Sequence, residues 1–63
     1  MKEMYHIFTN GIDEYREKYE AALGIYNNFV EDYGNARLYI ERHDDEGEFL
    51  DEDCLKAEGD FPT

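Results

Sequence analysis

Ile12-Asp13-Glu14-Tyr15-Arg16-Glu17-Lys18-Tyr19-Glu20-Ala21-Ala22-Leu23-Gly24-Ile25-Tyr26-Asn27-Asn28-Phe29-Val30-Glu31-Asp32-Tyr33 is the stretch on which the fold turns. Apolar or aromatic residues recur at Ile12, Tyr15, Tyr19, Ala22, Leu23, Tyr26, Phe29, Val30 and Tyr33. Most steps are of three or four, the spacing that lines one face of an α-helix. Asp13, Glu17, Glu20 and Glu31 fall on the opposite half, so the segment predicts one long amphipathic helix with tyrosines on its packed face. Asn10 stands before it as an N-cap, and Asp13, three residues on, gives a shortened capping box. Asp13 and Glu14 also suit the positive end of a helix dipole. Gly34 follows the last periodic residue, where a left-handed residue commonly ends a helix.

Outward from this segment the pattern changes period. Met4-Tyr5-His6-Ile7-Phe8 is β-branched and aromatic, and reads as a short strand. Ala36, Leu38 and Ile40 alternate with Arg37, Tyr39 and Glu41, a half-buried strand with one apolar face. Asp44-Asp45-Glu46-Gly47 is turn chemistry. Glu48-Phe49-Leu50 starts a returning strand, which Cys54-Leu55-Lys56-Ala57 continues or follows with another; Gly59 to Thr63 reads as a loose tail. The predicted order is β-α-β-β: an α+β domain in which one long helix lies on a small antiparallel sheet.

The chain has 63 residues and 7.5 kDa, enough for a single small domain over residues 1–63. Its composition, 41% hydrophobic and 16% aromatic, favours a folded core over disorder. Seventeen acids against six Lys and Arg give a net charge of −11. That sign excludes direct binding to nucleic acid and to anionic membrane surfaces. No apolar run approaches the roughly 20 residues of a membrane-spanning helix, and no signal-peptide core follows the N-terminus. The lone Cys54 has no internal disulfide partner, so the expected setting is the reducing cytoplasm.

The charge is unevenly placed. Between Asp44 and Asp53, seven of ten residues are carboxylates: Asp44, Asp45, Glu46, Glu48, Asp51, Glu52 and Asp53. No base lies among them, although like charges a few ångströms apart repel by about 1 kcal/mol per pair even in water. The run is either a solvated loop or a surface kept for a basic partner. Duplex DNA presents about one charge per 1.7 Å, a density that a hairpin and a helix face bearing carboxylates can approach.

Reactive chemistry is poorly supplied. Setting Gly47 at the sixth position of a calcium loop places Arg42 at the first ligand position, which defeats the motif. His6, His43 and Cys54 lack the paired spacing of a zinc site. Asp51, Glu52 and Asp53 disfavour a Cys54 thiolate, and there is no Gly-rich phosphate loop. No catalysis, no cofactor and no metal are therefore expected. Tyr39, on the polar face of its strand, is the aromatic expected to be exposed as a partner anchor.

In size, charge, aromatic content and single cysteine, the whole chain resembles, at the level of class, the small acidic proteins that phages and mobile elements direct against host defence. These include DNA-mimic anti-restriction proteins, anti-CRISPR proteins and inhibitors of DNA-repair glycosylases. The resemblance implies a host nuclease or defence effector as target. The expected function is non-enzymatic inhibition by occupation of a basic nucleic-acid-binding surface. The 44–53 carboxylates would form the main array and Asp13, Glu17, Glu20 and Glu31 a second stripe. The alternative is a homodimeric interaction module whose acidic surface is merely solvated; the chain is expected to be a monomer or a homodimer.

Overall fold

The structure is a computed structural model and describes residues 1–60. Its elements are β1 (Lys2–Thr9), β2 (Ile12–Arg16), α1 (Tyr19–Tyr33), β3 (Ala36–His43) and β4 (Phe49–Glu58). All neighbours are antiparallel, in the order β2-β1-β3-β4, with α1 packed across β1, β3 and β2. The domain is α+β. The three final residues of the expected tail, Phe61 to Thr63, lie outside the described residues.

The order is β-β-α-β-β rather than β-α-β-β, because residues 12–16 form a strand where a helix start was expected. Asn10 and Gly11 have φ of 42° and 83°, two consecutive positive values. That is the signature of a two-residue type I′ hairpin, whose twist matches the flanking strands. Asn10 therefore closes a hairpin instead of capping a helix. The register Thr9↔Ile12 through Tyr5↔Arg16 follows directly from this tight turn. The helix begins seven residues later than expected. Lys18 occupies its N-cap position without a side-chain cap. At the other end Gly34 adopts φ 79°, and its N–H donates to the Val30 carbonyl at 2.9 Å, as expected of a left-handed terminator.

Alternation along the strands separates two faces. Ile7, Ala36 and Leu38 point at the helix and meet Ala22 and Tyr26 in a fully buried core. Tyr5, Leu23, Ile25, Phe29 and Val30 close around it. The expected tyrosine stripe does not form. Tyr26 alone among its members is buried; Tyr15 lies on β2, and Tyr19 and Tyr33 stay 40% and 45% exposed. A polar node joins the hairpin to the helix exit. The Thr9 hydroxyl shares its hydrogen between the Asn35 carbonyl at 2.8 Å and Asn35 Oδ1 at 2.5 Å, and Asn35 Nδ2 reaches Asn10 Oδ1 at 3.4 Å. Thr9 and Asn35 are both buried, so these bonds satisfy groups that water does not reach.

β4 is one continuous ten-residue edge strand and exposed along its whole length. Its pairing with β3 slips twice. Leu38 faces Lys56 while Tyr39 faces Cys54, and Arg42 faces Asp51 while His43 faces Phe49, so Leu55 and Leu50 are the extra residues of two β-bulges.

Candidate functional site

The hairpin joining β3 to β4 is ordered. Asp44 Oδ1 accepts the N–H groups of Glu46 and Glu48, each at 2.9 Å. The Asp44 N–H donates to the Glu48 carbonyl and the Gly47 N–H to the Asp44 carbonyl. Asp44 is thus a turn clamp, and Glu46 and Glu48 project from a fixed loop. Asp45 meets the N-terminal ammonium of Met1 at 2.7 Å.

Beyond the turn the acids divide between the two faces of β4. Asp51 and Asp53 turn to the helix side and share the Arg42 guanidinium at 3.0 and 2.9 Å, with Glu3 at 3.8 Å. The hydrogen bonds that Arg42 donates to Asp51 and then Asp53 hold its pKa above the ordinary value. Glu52 turns the other way and stands opposite Glu41. The 44–53 run is therefore ordered, but two cations, Arg42 and the Met1 ammonium, temper three of its seven carboxylates.

The expected second stripe is not one surface. Asp13 sits on β2, bonded to His6. Glu17 lies in the short connection to α1, and Glu20 and Glu31 lie at the two ends of the helix's exposed side.

The face of the sheet away from the helix carries a constellation that the sequence reading missed. His6 stacks on Tyr15 with ring centroids 4.5 Å apart and planes within 7°, and Tyr39 lies 5.9 Å away on its other flank. Tyr39, expected to be exposed, is half-buried in this group. His6 Nε2 is 2.6 Å from Asp13 Oδ1, and Nδ1 is 3.0 Å from Glu41 Oε2. The second Glu41 oxygen meets His43 Nε2 at 3.3 Å, and Glu41 is itself buried. Partial burial raises the Tyr15 pKa, reinforced by the negative charges of Glu41, Asp13 and Glu52. Position within the sequence gives no hint of this group. It exists because the registers His6↔Tyr15, His6↔Tyr39 and Glu41↔Glu52 align residues from four strands.

No protein-family model, curated protein or solved structure matches the chain. Among the described residues, no helix is long and apolar enough to cross a membrane.

Proposed function

We propose that the protein is a non-enzymatic inhibitor that occupies the basic nucleic-acid-binding surface of a host nuclease or defence effector, with the β3–β4 hairpin as its leading edge. The supporting observation is that this hairpin presents its acids from a hydrogen-bonded turn and an exposed strand. A β-strand rises about 3.3 Å per residue. Asp51 and Asp53, on the same face of β4, therefore lie about 6.6 Å apart along the strand, close to twice the roughly 3.4 Å per phosphate of one DNA strand. Arg42 offsets one charge and in exchange fixes two carboxylates in place. Fixed charges meet a basic groove with less ordering entropy to lose than charges on a mobile loop.

The test begins with affinity capture of basic nucleic-acid-binding proteins at low salt, followed by displacement of DNA from the captured protein. Asp45→Lys, Glu46→Lys and Glu48→Lys together leave the core, Arg42 and the Asp44 clamp untouched. They are expected to weaken displacement at least tenfold and to flatten its dependence on salt, because surface charge acts mainly through steered association. Undiminished displacement by the triple variant overturns the reading.

A second reading is favoured by Phe49, Leu50 and Leu55, which are 55%, 52% and 44% exposed on the β4 edge. An edge strand with apolar side chains is a template for pairing with a second copy. Sedimentation at micromolar concentration separates the readings: a tight dimer that displaces no DNA favours self-association.

A further inference from the structure

Three strands converge at one point of the open face. β1 brings His6, β3 brings Glu41, and the bulge at Leu50 sets the phase of β4 so that Glu52 points there too. One donor atom from each of these side chains lies within 4.8 Å of the other two. We infer that His6 Nδ1, a Glu41 oxygen and a Glu52 oxygen bind a divalent transition-metal ion of the zinc or manganese class.

The first reason lies in the imidazole. Its Nε2 is 2.6 Å from Asp13 Oδ1, which assigns the ring proton to that nitrogen. Nδ1 is buried and makes no hydrogen bond; Glu41 Oε2 is 3.0 Å away but not aligned for one. With the ring proton on Nε2, the Nδ1 lone pair faces Glu41 and Glu52, a donor set that a cation would complete. Metal-binding histidines almost always donate their other ring N–H to a carboxylate, which fixes tautomer and orientation. Asp13 stands in that position.

The second reason is spacing and charge. Metal–nitrogen and metal–oxygen bonds of about 2.0–2.2 Å set the donors roughly 3 Å apart at octahedral angles and roughly 3.4 Å apart at tetrahedral ones. The separation of His6 Nδ1 and Glu41 Oε2 is 3.0 Å. His43 holds the other Glu41 oxygen, so the carboxylate has one oxygen to offer. Glu41 and Glu52 are direct cross-strand partners of like sign, a pairing that destabilises a sheet unless a cation lies between them. One imidazole with two carboxylates suits zinc or manganese better than calcium or magnesium, which prefer an all-oxygen set. The ion would tie β4, which the helix does not cover, to β1 and β3. This site is separate from the turn acids of the proposed inhibitor surface.

Chelator-treated protein titrated calorimetrically with zinc chloride at pH 7.5 tests the inference. The expected result is one site per chain, weakened at least tenfold in the Glu52→Gln variant, whose exposed side chain makes no hydrogen bond or ion pair with another described residue. His6→Gln removes the site, and Asp13→Asn weakens it by about 10–100-fold through lost orientation of the ring. Glu46→Gln with Glu48→Gln, on the turn, leaves it unchanged, and calcium chloride in place of zinc gives no comparable heat. Absence of zinc binding, equal binding by Glu52→Gln, or loss of binding on changing the turn acids each overturns it.

Discussion

Tyr26→Ala is expected to cost the domain about 3–5 kcal/mol, a third or more of its stability, whereas Tyr26→Phe is expected to stabilise it. Tyr26 is 1% exposed and the largest side chain in the core. Truncating a buried aromatic to alanine costs about 3–5 kcal/mol. At roughly 0.05–0.15 kcal/mol per residue, a domain of 63 residues has about 3–9 kcal/mol in total. The phenylalanine variant keeps the ring and its packing and loses a hydroxyl that is buried without a hydrogen-bond partner among the described residues. An unsatisfied buried polar group carries a penalty of about 1–3 kcal/mol, so its removal is worth about 1 kcal/mol. That corresponds to a rise of roughly 4–8 °C in Tm for a domain of this size.

The same hydroxyl shapes the alkaline limit. Burial raises the Tyr26 pKa, with smaller contributions from Glu58 and Cys54. A raised folded-state pKa means the protonated form is the one the fold prefers. Its contribution is therefore fully present below the unfolded value of about 10 and is lost as pH climbs through the higher folded value. Tyr15, raised chiefly by burial and then by Glu41, behaves alike. Denaturant melts at pH 8 and pH 11 are expected to show a smaller alkaline loss in Tyr26→Phe than in the parent, with the share from Tyr15 remaining. A phenylalanine variant less stable than the parent at pH 8 would show that the hydroxyl has a bonding partner in solution.

How much was legible in the sequence depended on how local each signal was. The alternation of Ala36, Leu38 and Ile40, the turn at Asp44 to Gly47 and the terminator at Gly34 are contained in a few residues each, and all three appear in the structure. Ile12, Tyr15 and Tyr19 misled because a step of three followed by four fits a helix whether or not one forms. The deciding signal was adjacent: Asn10-Gly11 between two apolar runs is the strongest short-range mark of a hairpin. Asn10 is equally suited to an N-cap, and it is as a cap that the helical spacing after it presents it. In β4 the bulges at Leu50 and Leu55 reset the alternation twice, so period-two counting places Glu52 and Asp53 on the wrong faces. The His6 cluster was illegible for a different reason. It assembles residues 6, 13, 41 and 52 across strand registers that no local pattern encodes. Charge was legible as a total but not as a surface, since Arg42 holds Asp51 and Asp53 while Asp13 turns to His6.

Gly59→Ala is expected to detach the end of β4 and destabilise the domain by about 2 kcal/mol or more, through two mechanisms that act together. Gly59 has φ 77°, a left-handed backbone that a residue with a Cβ adopts only at a penalty of about 1–2 kcal/mol. Its surroundings are also closed. A Cβ there would overlap the Gly34 carbonyl oxygen and come within 2.8 Å of Asn35 Cβ and 2.9 Å of Asn35 Cα. These atoms belong to the helix terminator and to the buried node of Thr9 and Asn35, so they have little room to yield. Gly47→Ala is the control: its φ of 87° is equally left-handed, but nothing lies within 4 Å of the added carbon. It is expected to show the backbone penalty alone. Hydrogen exchange then locates the damage, with protection lost first along the β3–β4 ladder near Ala36↔Glu58 and retained in the β1–β2 hairpin. Equal destabilisation by the two substitutions would mean that the close approach of Gly59 to Gly34 is not maintained in solution.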